Sequence, residues 1–426
     1  MYMRREAPIK EMLKAFKRKR KYLFCMPAHK GQNSKDITEL DFSDNLHNPR
    51  GVIKESQDIA AKIFGAKKCF YVTSGSTASV FIMLSAVKSF GSKIIITRNS
   101  HKSVYNALTV FNIEPVIADD LNNIEKLLTK EVIGALITYP DYSGNCIDIK
   151  RIYDVLKKRN KLLLSDSSHG GHFSEKFGLP NPNLYCDALC FSAFKTLNGL
   201  TQGSYLLLNN LELENNIKTS FNLLHTTSPS YLILESLESA ALDLEKQKNL
   251  LKIQKHINLL KYKSDLIFEN NNDILKLILN VRSLNITGFT AEKFLNGLNI
   301  YPEFSLAEQV VFIISYCEKR KNLRALLKAL IKLKCQDFKP EPILKVPDFK
   351  FEKKLSFLEA INKENELVDV KDAIGKISAC NLGLYPPAVP ILIAGEVIEE
   401  EFADFMRQNI NRFFNAYDNK VKVVLS

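Results

Sequence analysis

The sequence has little of what marks several classes of protein. It contains no tryptophan, and its eight cysteines include no CxxC pair, so neither a zinc site nor a disulfide framework is predicted. Its apolar runs are far shorter than the roughly 18 to 20 residues that a membrane helix needs, and no N-terminal apolar segment resembles a secretory signal. We therefore expect a cytoplasmic protein without a bound metal and without a membrane span.

The positive charge of the chain does not indicate a nucleic-acid partner. The formal net charge is +12, yet lysine and arginine are spread along the whole length, and no groove-reading motif or cluster of base-stacking aromatic residues is visible. Only Lys14–Lys21 forms a basic cluster, which we interpret as the solvated face of an N-terminal amphipathic helix.

Short apolar runs alternate with helical patterns from about residue 68 to residue 208 of the 426-residue chain. Continuous apolar runs such as Ile94–Thr97 are typical of strands buried on both faces, and segments such as Ser103–Phe111 and Ile149–Lys158 have helical spacing. This alternation predicts a mostly parallel sheet covered by helices on both faces. The predicted strands are Cys69–Thr73, Ile94–Thr97, Val116–Ala118, Ile133–Tyr139, Leu162–Ser165, Ala188–Ser192 and Ser204–Leu208.

The pattern changes in the second half of the chain. A long helical tract is predicted from Tyr231 to about Asn270, and strand-like and helix-like segments alternate after it, which predicts a smaller α+β domain. Lys334–Lys353 is rich in proline and charge and is predicted to be a loop or linker. We therefore divide the chain into an N-terminal segment (1–50), a large domain with its connecting helix (51–270) and a small C-terminal α+β domain (271–426).

Two of the predicted strands lead directly into chemically useful side chains. The run Leu162–Ser165 is followed by the carboxylate of Asp166, and Ala188–Ser192 is followed after two residues by the amine of Lys195. Ligands of open α/β sheets bind outside the carboxyl ends of the strands. A lysine that can form a Schiff base, with an aspartate that can hold a pyridinium nitrogen, is what a protein supplies to pyridoxal phosphate (PLP) chemistry.

Two further strand-to-helix loops carry polar groups. Thr73–Thr77 would present hydroxyls and backbone N–H groups at a helix N-terminus, which makes an anion site, although a simple helix cap is the alternative. Arg98–Ser103 places His101 after another strand, where its flat ring could stack on a flat cofactor. The alternative is a histidine that is merely hydrogen-bonded.

These loops carry a family resemblance. Thr73–Thr77, Arg98–Ser103, Asp166–Phe173 and Ser192–Thr196 resemble, in order and spacing, the short form of the PLP-dependent Orn/Lys/Arg decarboxylases. Further similarity extends over nearly the whole chain, in Met26–Gly31, Asp44–Gly51, Thr227–Tyr231, Tyr385–Pro390 and Gly395–Glu396. The resemblance implies fold type I, with a mostly parallel seven-stranded sheet in the large domain and a smaller C-terminal α+β domain.

The resemblance also implies roles for individual residues. Lys195 would form the Schiff base with PLP, Asp166 would hold the protonated ring nitrogen, and His101 would stack on the ring. Lys195 is also the first candidate for the proton donor, with the histidines at 169 and 172 as alternatives. The phosphate would be bound by Gly75, Ser76, Thr77 and Ser192. The segment with Ser228 and Ser230 would reach the cofactor of a partner subunit, which implies a homodimer with shared active sites.

The implied reaction is decarboxylation of arginine, lysine or ornithine, which yields a polyamine precursor. Glu396 is the candidate for binding the cationic end of the substrate, against the alternative of a helix N-terminal glutamate, and His172 is a second substrate-binding candidate. Phe194 stands where the family usually has histidine, and Ala28 and Ala388 stand where it more often has glycine. Another PLP-dependent reaction, such as transamination or elimination, stays open, and Phe194 leaves open a catalytically weakened protein with a binding role.

Overall fold

The structure, a computed structural model, describes residues 6–32, 35–247, 250–341, 349–385 and 388–425. The helices are α1 (Pro8–Arg18), α2 (Val52–Phe64), α3 (Gly75–Val87), α4 (Lys102–Val110), α5 (Ile149–Lys158), α6 (Ala193–Thr196), α7 (Glu214–Leu224), α8 (Tyr231–Lys246), α9 (Leu250–Ser264), α10 (Gly288–Gly297), α11 (Arg320–Cys335), α12 (Phe357–Asn362) and α13 (Glu400–Gln408). The strands are β1 (Lys68–Val72), β2 (Lys93–Thr97), β3 (Glu114–Ala118), β4 (Val132–Thr138), β5 (Leu162–Asp166), β6 (Ala188–Ser192), β7 (Ser204–Leu208), β8 (Ile267–Phe268), β9 (Lys276–Asn280), β10 (Phe304–Ser305), β11 (Gln309–Ile313), β12 (Asn365–Asp369), β13 (Leu382–Leu384), β14 (Val389–Leu392), β15 (Phe413–Phe414) and β16 (Lys420–Val424).

The mostly parallel sheet predicted from the sequence is confirmed. Seven strands form it in the order β1–β7–β6–β5–β4–β2–β3. The pairs β5–β6, β2–β4 and β2–β3 are parallel, whereas β7 runs antiparallel to β1 and β6. Every residue of β6 and β7 is buried, which explains why these strands consist of nearly continuous apolar runs.

The chain forms two compact units, each with its own apolar core. In the first unit a four-stranded sheet has the order β10–β11–β9–β8. In the second unit β13, β14 and β15 form a three-stranded sheet, and α13 buries Phe402 and Met406 in the adjacent core. The predicted domain boundaries at residues 50 and 270 stay a prediction. The first unit comprises residues 1–86, 139–149 and 164–345, and the second comprises 87–138, 150–163 and 346–426.

The single helical tract predicted from Tyr231 to about Asn270 is wrong. Two helices, α8 and α9, occupy most of it, and strand β8 follows. The chain leaves helical geometry at Gln247, which is extended, and Asp265 directly after α9 has a positive φ of 51°. Residues 245–249 contain no apolar residue, so the prediction of one tract overlooked an interruption of the apolar spacing between the two helices. Residues 248–249 within this tract lie outside the described residues.

The N-terminal amphipathic helix is present as α1. It buries Ile9, Leu13 and Phe16, and its lysines point away from that face. The buried carboxylate of Glu238 on α8 accepts hydrogen bonds of 2.9 Å from the backbone N–H groups of Ile9 and Lys10. A carboxylate at a helix N-terminus satisfies free N–H groups and complements the helix dipole, so α1 is held against α8 by both packing and charge.

The predicted linker Lys334–Lys353 is only partly as expected. Helix α11 continues to Cys335, and residues 342–348 lie outside the described residues. The sequence did not reveal α2, α7 or the strands after residue 350. None of the described helices combines the length and the apolar character needed to span a bilayer.

Candidate active site

A cluster of serine hydroxyls lies where β6 ends, α3 begins and β7 starts. The Oγ atoms of Ser76 and Ser192 are 2.6 Å apart, and Ser204 Oγ lies 3.3 Å from Ser76 Oγ and 2.9 Å from Ser79 Oγ. The structure therefore brings the two predicted serines together and adds Ser79 and Ser204. Sequence analysis missed these two because a serine inside a helix or at a strand start has no distinctive local signal.

The backbone turn at Gly75, just before Ser76, leaves room for a ligand to approach closely. Gly75 begins α3 with a φ of 81°, a conformation that favours glycine, and its N–H donates to the carbonyl oxygen of Gln202 at 2.8 Å. A side chain added at Gly75 would meet nothing within 4 Å, so the space above this turn is open. The N–H groups at the start of α3 next to this open space, with the hydroxyl of the partly exposed Ser76, form a suitable site for an anion.

Asp166 ends β5 and is 4% exposed. Its Oδ1 accepts hydrogen bonds from the backbone N–H of Ser168 at 3.1 Å and from the Ser168 hydroxyl at 2.5 Å. These bonds hold the carboxylate in a fixed orientation at the end of the strand, where the sequence predicted it.

Lys195 lies in the short helix α6, directly after β6. Its Nζ is 3.2 Å from His169 Nε2. Burial lowers the pKa of Lys195, while the carboxylates of Asp166 and Glu303 oppose that shift. A lysine with a lowered pKa has a larger fraction of the neutral amine, which is the form that attacks carbonyl groups.

His169 contacts a residue that the sequence analysis did not select. Its ring packs edge-on against the ring of Tyr142, with centroids 5.4 Å apart. Burial, and to a lesser extent the charge of Asp166, raises the pKa of Tyr142, so its phenol stays protonated. Tyr142 follows β4 in a loop without a recognisable motif, which is why the sequence did not identify it.

His172 was a candidate for contacting substrate, but the structure buries it completely. Its Nε2 is 2.8 Å from Oδ1 of Asp273, which is also buried. A side chain that is fully enclosed and hydrogen-bonded to a buried carboxylate is poorly placed to bind substrate. Its substrate-binding role stays a prediction that this burial disfavours.

His101 lies in the second unit and opens α4 as predicted. Its Nδ1 accepts from the backbone N–H of Ser103 at 3.2 Å and lies 2.8 Å from the Ser103 hydroxyl. The ring is thus fixed as a helix cap. Stacking on a cofactor ring stays a prediction.

Comparison with known sequences decides the family. Residues 31–128 and 121–281 match the Orn/Lys/Arg decarboxylase major domain, and residues 337–420 match the Orn/Lys/Arg decarboxylase C-terminal domain. The chain belongs to the Orn/Lys/Arg decarboxylase family. The resemblance stated from the sequence is confirmed, and so is the prediction of an amino acid decarboxylase.

Individual relatives match over most of their length. The chain is 30% identical over 414 residues to an arginine decarboxylase of Halalkalibacterium halodurans, covering 88% of this chain and 84% of the relative. It is 28% identical over 462 residues to an arginine decarboxylase of Bacillus subtilis, covering 95% of this chain and 94% of the relative.

Solved structures confirm the fold. The constitutive lysine decarboxylase of Escherichia coli superposes with a TM-score of 0.78 at 19% identity, over 98% of this chain and 82% of that chain. A serine palmitoyltransferase of Sphingomonas wittichii superposes with a TM-score of 0.56 at 15% identity, over 69% of this chain and 80% of that chain. The fold type I architecture expected from the sequence is therefore present.

Glu396 of this decarboxylase is engaged by an arginine. Its two carboxylate oxygens lie 2.7 and 3.0 Å from the guanidinium of Arg98, and one of them also accepts from the backbone N–H of Ile393 at 2.8 Å. Binding of a substrate cation by Glu396 stays a prediction, and it would require displacement of Arg98. The alternative interpretation of Glu396 as a helix N-terminal residue is wrong, because α13 begins four residues later at Glu400.

Ser228 and Ser230 lie in the short connection between α7 and α8. Ser228 is exposed, and its hydroxyl lies 3.2 Å from that of Thr226. Ser230 is the residue before α8 and makes no side-chain cap. Their role in a partner subunit's site stays a prediction.

A buried histidine, His225, links the connection between α7 and α8 to the loop that leads into the serine cluster. His225 Nε2 accepts from the backbone N–H of Thr73 at 3.0 Å, and His225 Nδ1 lies 2.9 Å from the carbonyl oxygen of Thr226. Burial lowers the pKa of His225 to about 4. The neutral ring can donate from Nδ1 to Thr226 and accept at Nε2 from Thr73, the first residue of the anion-site loop.

We expect His225 to make the stability of the protein dependent on pH. The unfolded ring binds a proton near pH 6.5, but the folded ring does so only near pH 4. The stabilisation is therefore complete above about pH 6.5 and is lost as the pH falls toward 4, by about 3 kcal/mol in total. Urea unfolding of the wild type and of His225→Gln across this range measures it, because the variant should lack this part of the pH dependence. His256→Gln on α9 is the control, and equal slopes in wild type and His225→Gln would contradict the expectation.

Ala388 occupies a backbone conformation that favours glycine. Its φ is 67°, and its carbonyl oxygen accepts from the N–H of Lys102 at 3.0 Å. Ala28, the other alanine at a position where the family more often has glycine, is not among the residues with positive φ. The left-handed region costs an L-residue about 1 to 2 kcal/mol, so the departure from glycine matters at residue 388.

We expect Ala388→Gly to leave stability unchanged or to raise it by up to about 1 kcal/mol, because relief of the strained backbone offsets the lost methyl group and the added chain entropy. Ala403→Gly in α13 is the matched control, since Ala403 is also fully buried but has helical geometry, and its replacement should cost about 1 kcal/mol or more. Chemical denaturation compares the two variants. Equal losses would show that residue 388 is not strained.

Proposed function

We propose that this protein is a PLP-dependent decarboxylase that removes the α-carboxylate of a basic amino acid. The observation that carries the proposal is the Lys195 amine, which has a lowered pKa and lies 3.2 Å from His169 Nε2, in the same unit as buried Asp166 and the serine cluster.

The residues of the first unit fit PLP. The hydroxyls of Ser76 and Ser192, together with the start of α3, suit a phosphate dianion, while the Ser204 hydroxyl donates to the carbonyl oxygen of Phe191 and supports the cluster from behind. The buried carboxylate of Asp166 suits a cationic ring nitrogen, because a nearby negative charge raises the proton affinity of that nitrogen. Lys195 supplies an amine for the aldehyde.

Individual side chains of this site have separate roles in the proposed reaction. When bound, PLP supplies an electron sink for the negative charge left at Cα by loss of carbon dioxide. Lys195 Nζ and His169 Nε2 are close enough to exchange a proton, so either can deliver the proton that Cα requires. Tyr142, packed on His169, restricts the orientation of that imidazole. The two bonds from Ser168 hold the Asp166 carboxylate in a fixed direction.

The substrate class follows from the relatives. Those most similar to this chain include arginine decarboxylases of Halalkalibacterium halodurans and Bacillus subtilis, so arginine is the first candidate, ahead of lysine and ornithine. We place the reaction in the cytoplasm, where the amine produced is a precursor of polyamines.

The test is a substrate panel with a matched uncharged analogue. Purified protein with PLP is incubated with arginine, lysine, ornithine and citrulline, and carbon dioxide and amines are quantified. We expect release of carbon dioxide with one of the three cationic substrates and little with citrulline, which has nearly the shape of arginine without its charge. A keto acid product would replace the proposal with transamination. Failure to bind PLP would favour the alternative of a catalytically weakened protein with a binding role. Phe194, which is 40% exposed and precedes Lys195, is the residue that keeps this alternative open.

We further propose a homodimer with shared sites, to which Ser228 and Ser230 of each partner contribute. Mixing inactive Lys195→Ala protein with a Ser228→Ala, Ser230→Ala double variant tests it after exchange of subunits. Mixed dimers contain one site with both defects and one with neither, so activity should reappear. Additive activities without any gain, or a monomer by light scattering, would contradict shared sites.

A further inference from the structure

Asp273 lies in the connection between β8 and β9, 107 positions after Asp166, and no sequence motif points to it. It is 1% exposed, and its Oδ1 lies 2.8 Å from Nε2 of His172, which is fully buried. The same oxygen accepts from the backbone N–H of Leu275 at 3.0 Å. The carboxylate is therefore fixed by its own connection and bonded to the loop that carries His172.

The backbone around Asp273 holds a second loop. The N–H groups of Asn272 and Asp273 both donate to the carbonyl oxygen of Gly144, at 3.0 and 3.1 Å. A Cβ added at Gly144 would lie 2.9 Å from the Cβ of Asp273, and Gly144 has a φ of 81°. Only glycine allows so close an approach at this point.

Each of these two loops carries a side chain of the candidate active site. The loop held through His172 contains His169, whose Nε2 is 3.2 Å from Lys195 Nζ. The loop held through Gly144 contains Tyr142, whose ring packs on His169 with centroids 5.4 Å apart. Asp273 thus contacts both loops: the one with His169, which lies next to the Lys195 amine, and the one with Tyr142, which packs on His169.

Asp273 is charged despite its burial. Burial by itself would raise its pKa, but the charge and hydrogen bond of His172 and the charge of Lys276 lower it overall. Lys276 is also buried, at 3% exposure, and its Nζ lies 3.4 Å from the carbonyl oxygen of Asp141. A buried charge is costly unless it is paired, so loss of the Asp273 carboxylate would remove the partner of His172 and leave Lys276 with only the charges of Asp141 and Glu303 opposite it.

We propose that Asp273 is a positioning residue for the Lys195 site: its carboxylate, through His172, holds the loop that carries His169 beside the reactive amine, and its backbone N–H, through Gly144, holds the loop of Tyr142, which packs on His169. The inference rests on the proposed function of Lys195. It goes beyond that function because it assigns the geometry of the site to a carboxylate that touches neither substrate nor cofactor.

The experiment compares Asp273→Ala, Asp273→Asn and His172→Phe with the wild type. Turnover is measured as separate kcat and KM values with the preferred basic amino acid. Hydrogen exchange of residues 141–146 and 167–173 is measured without added PLP. The control is Asp265→Asn, which removes the charge of an exposed carboxylate eight positions earlier in the chain and keeps a residue type that tolerates the positive φ there.

We expect Asp273→Ala to lower kcat on the order of 100-fold, the effect of a misplacement of about 1 Å, with KM changed only a few-fold. Hydrogen exchange should become faster in residues 167–173, whereas residues 141–146, held through backbone N–H groups that the substitution leaves in place, should change less. Asp273→Asn retains an oxygen acceptor and should recover part of kcat and of the protection, and His172→Phe should affect mainly residues 167–173. The control should match the wild type.

Unchanged kcat in a folded Asp273→Ala protein would overturn the proposal, and so would hydrogen exchange of residues 167–173 at the wild-type rate. If Asp273→Ala does not fold, the variants Asp273→Asn and His172→Phe decide by the same two measurements, kcat and hydrogen exchange. Wild-type values of both quantities in both variants would overturn the proposal. A wild type that neither binds PLP nor releases carbon dioxide would instead overturn the proposed function, while the exchange data would still report whether Asp273 anchors the loops.

Discussion

Lys195→Ala is expected to lose covalent attachment of PLP and essentially all turnover. The amine is the group that would join the aldehyde, and its lowered pKa and the adjacent His169 Nε2 at 3.2 Å are specific to this position. Removal of a covalent catalytic group should lower kcat by about 10³-fold or more. After incubation with PLP and reduction with borohydride, the intact mass of the wild type should rise by one reduced cofactor, whereas that of the variant should not.

The control separates loss of chemistry from loss of fold. Lys218→Ala removes an exposed lysine of α7 in the same unit and should attach PLP as the wild type does. Lys195→Ala should keep the wild-type circular dichroism spectrum, because Lys195 forms no ion pair among the described residues and shortening its side chain exposes little apolar surface. A variant that still gains the mass of the cofactor would exclude Lys195 as its attachment point.

Asp166→Asn is expected to retain PLP with weaker affinity and to lose most of the rate. Asparagine fits the same space, and its carbonyl oxygen can still accept from the N–H and hydroxyl of Ser168, which lie 3.1 and 2.5 Å from Oδ1. What disappears is the negative charge that keeps the ring nitrogen protonated. We expect kcat to fall by about 10²- to 10³-fold, the range seen when one preorganised electrostatic group is removed.

Ser168→Ala is the matched comparison for Asp166→Asn. It removes one hydrogen bond to the carboxylate but leaves the charge, so its effect on kcat should be much smaller. Steady-state kinetics at saturating PLP, with PLP dissociation constants from fluorescence titration, measures both variants. Normal turnover of Asp166→Asn at saturating PLP would remove Asp166 from the proposed role.

The main sheet was predictable because its strands bury both faces. Ala188–Ser192 and Ser204–Leu208 were predicted with the bounds that the structure has, and so was helix Ile149–Lys158. The break between α8 and α9 was missed because the helical spacing on either side was continued across residues 245–249, which contain no apolar residue and where the chain becomes extended at Gln247. The small strands after residue 350 were also missed, since runs of two to five residues have too little periodicity to identify them.

The site was predictable where it follows the strand ends. Asp166, Ser192 and Lys195 come directly after buried apolar runs, and that position alone directs them to one edge of a sheet. Glu396 was predicted as a free carboxylate because the sequence could not reveal Arg98 as its partner, 298 positions away. Tyr142, Ser204 and Asp273 were missed for the same reason, since each acquires its significance from a contact with a residue far away in the chain.

By itself, the sequence determined the family, the mostly parallel sheet, and the identity of the amine and carboxylate at the strand ends, because short-range apolar patterning and local motifs encode all of these. Only the tertiary structure decided which groups surround the amine and which are already paired. It put His169 next to Lys195, bonded His172 to Asp273, and matched Glu396 with Arg98. The physical reason is that hydrogen bonds and ion pairs depend on distances of about 3 Å, which folding sets between segments that the linear sequence keeps apart.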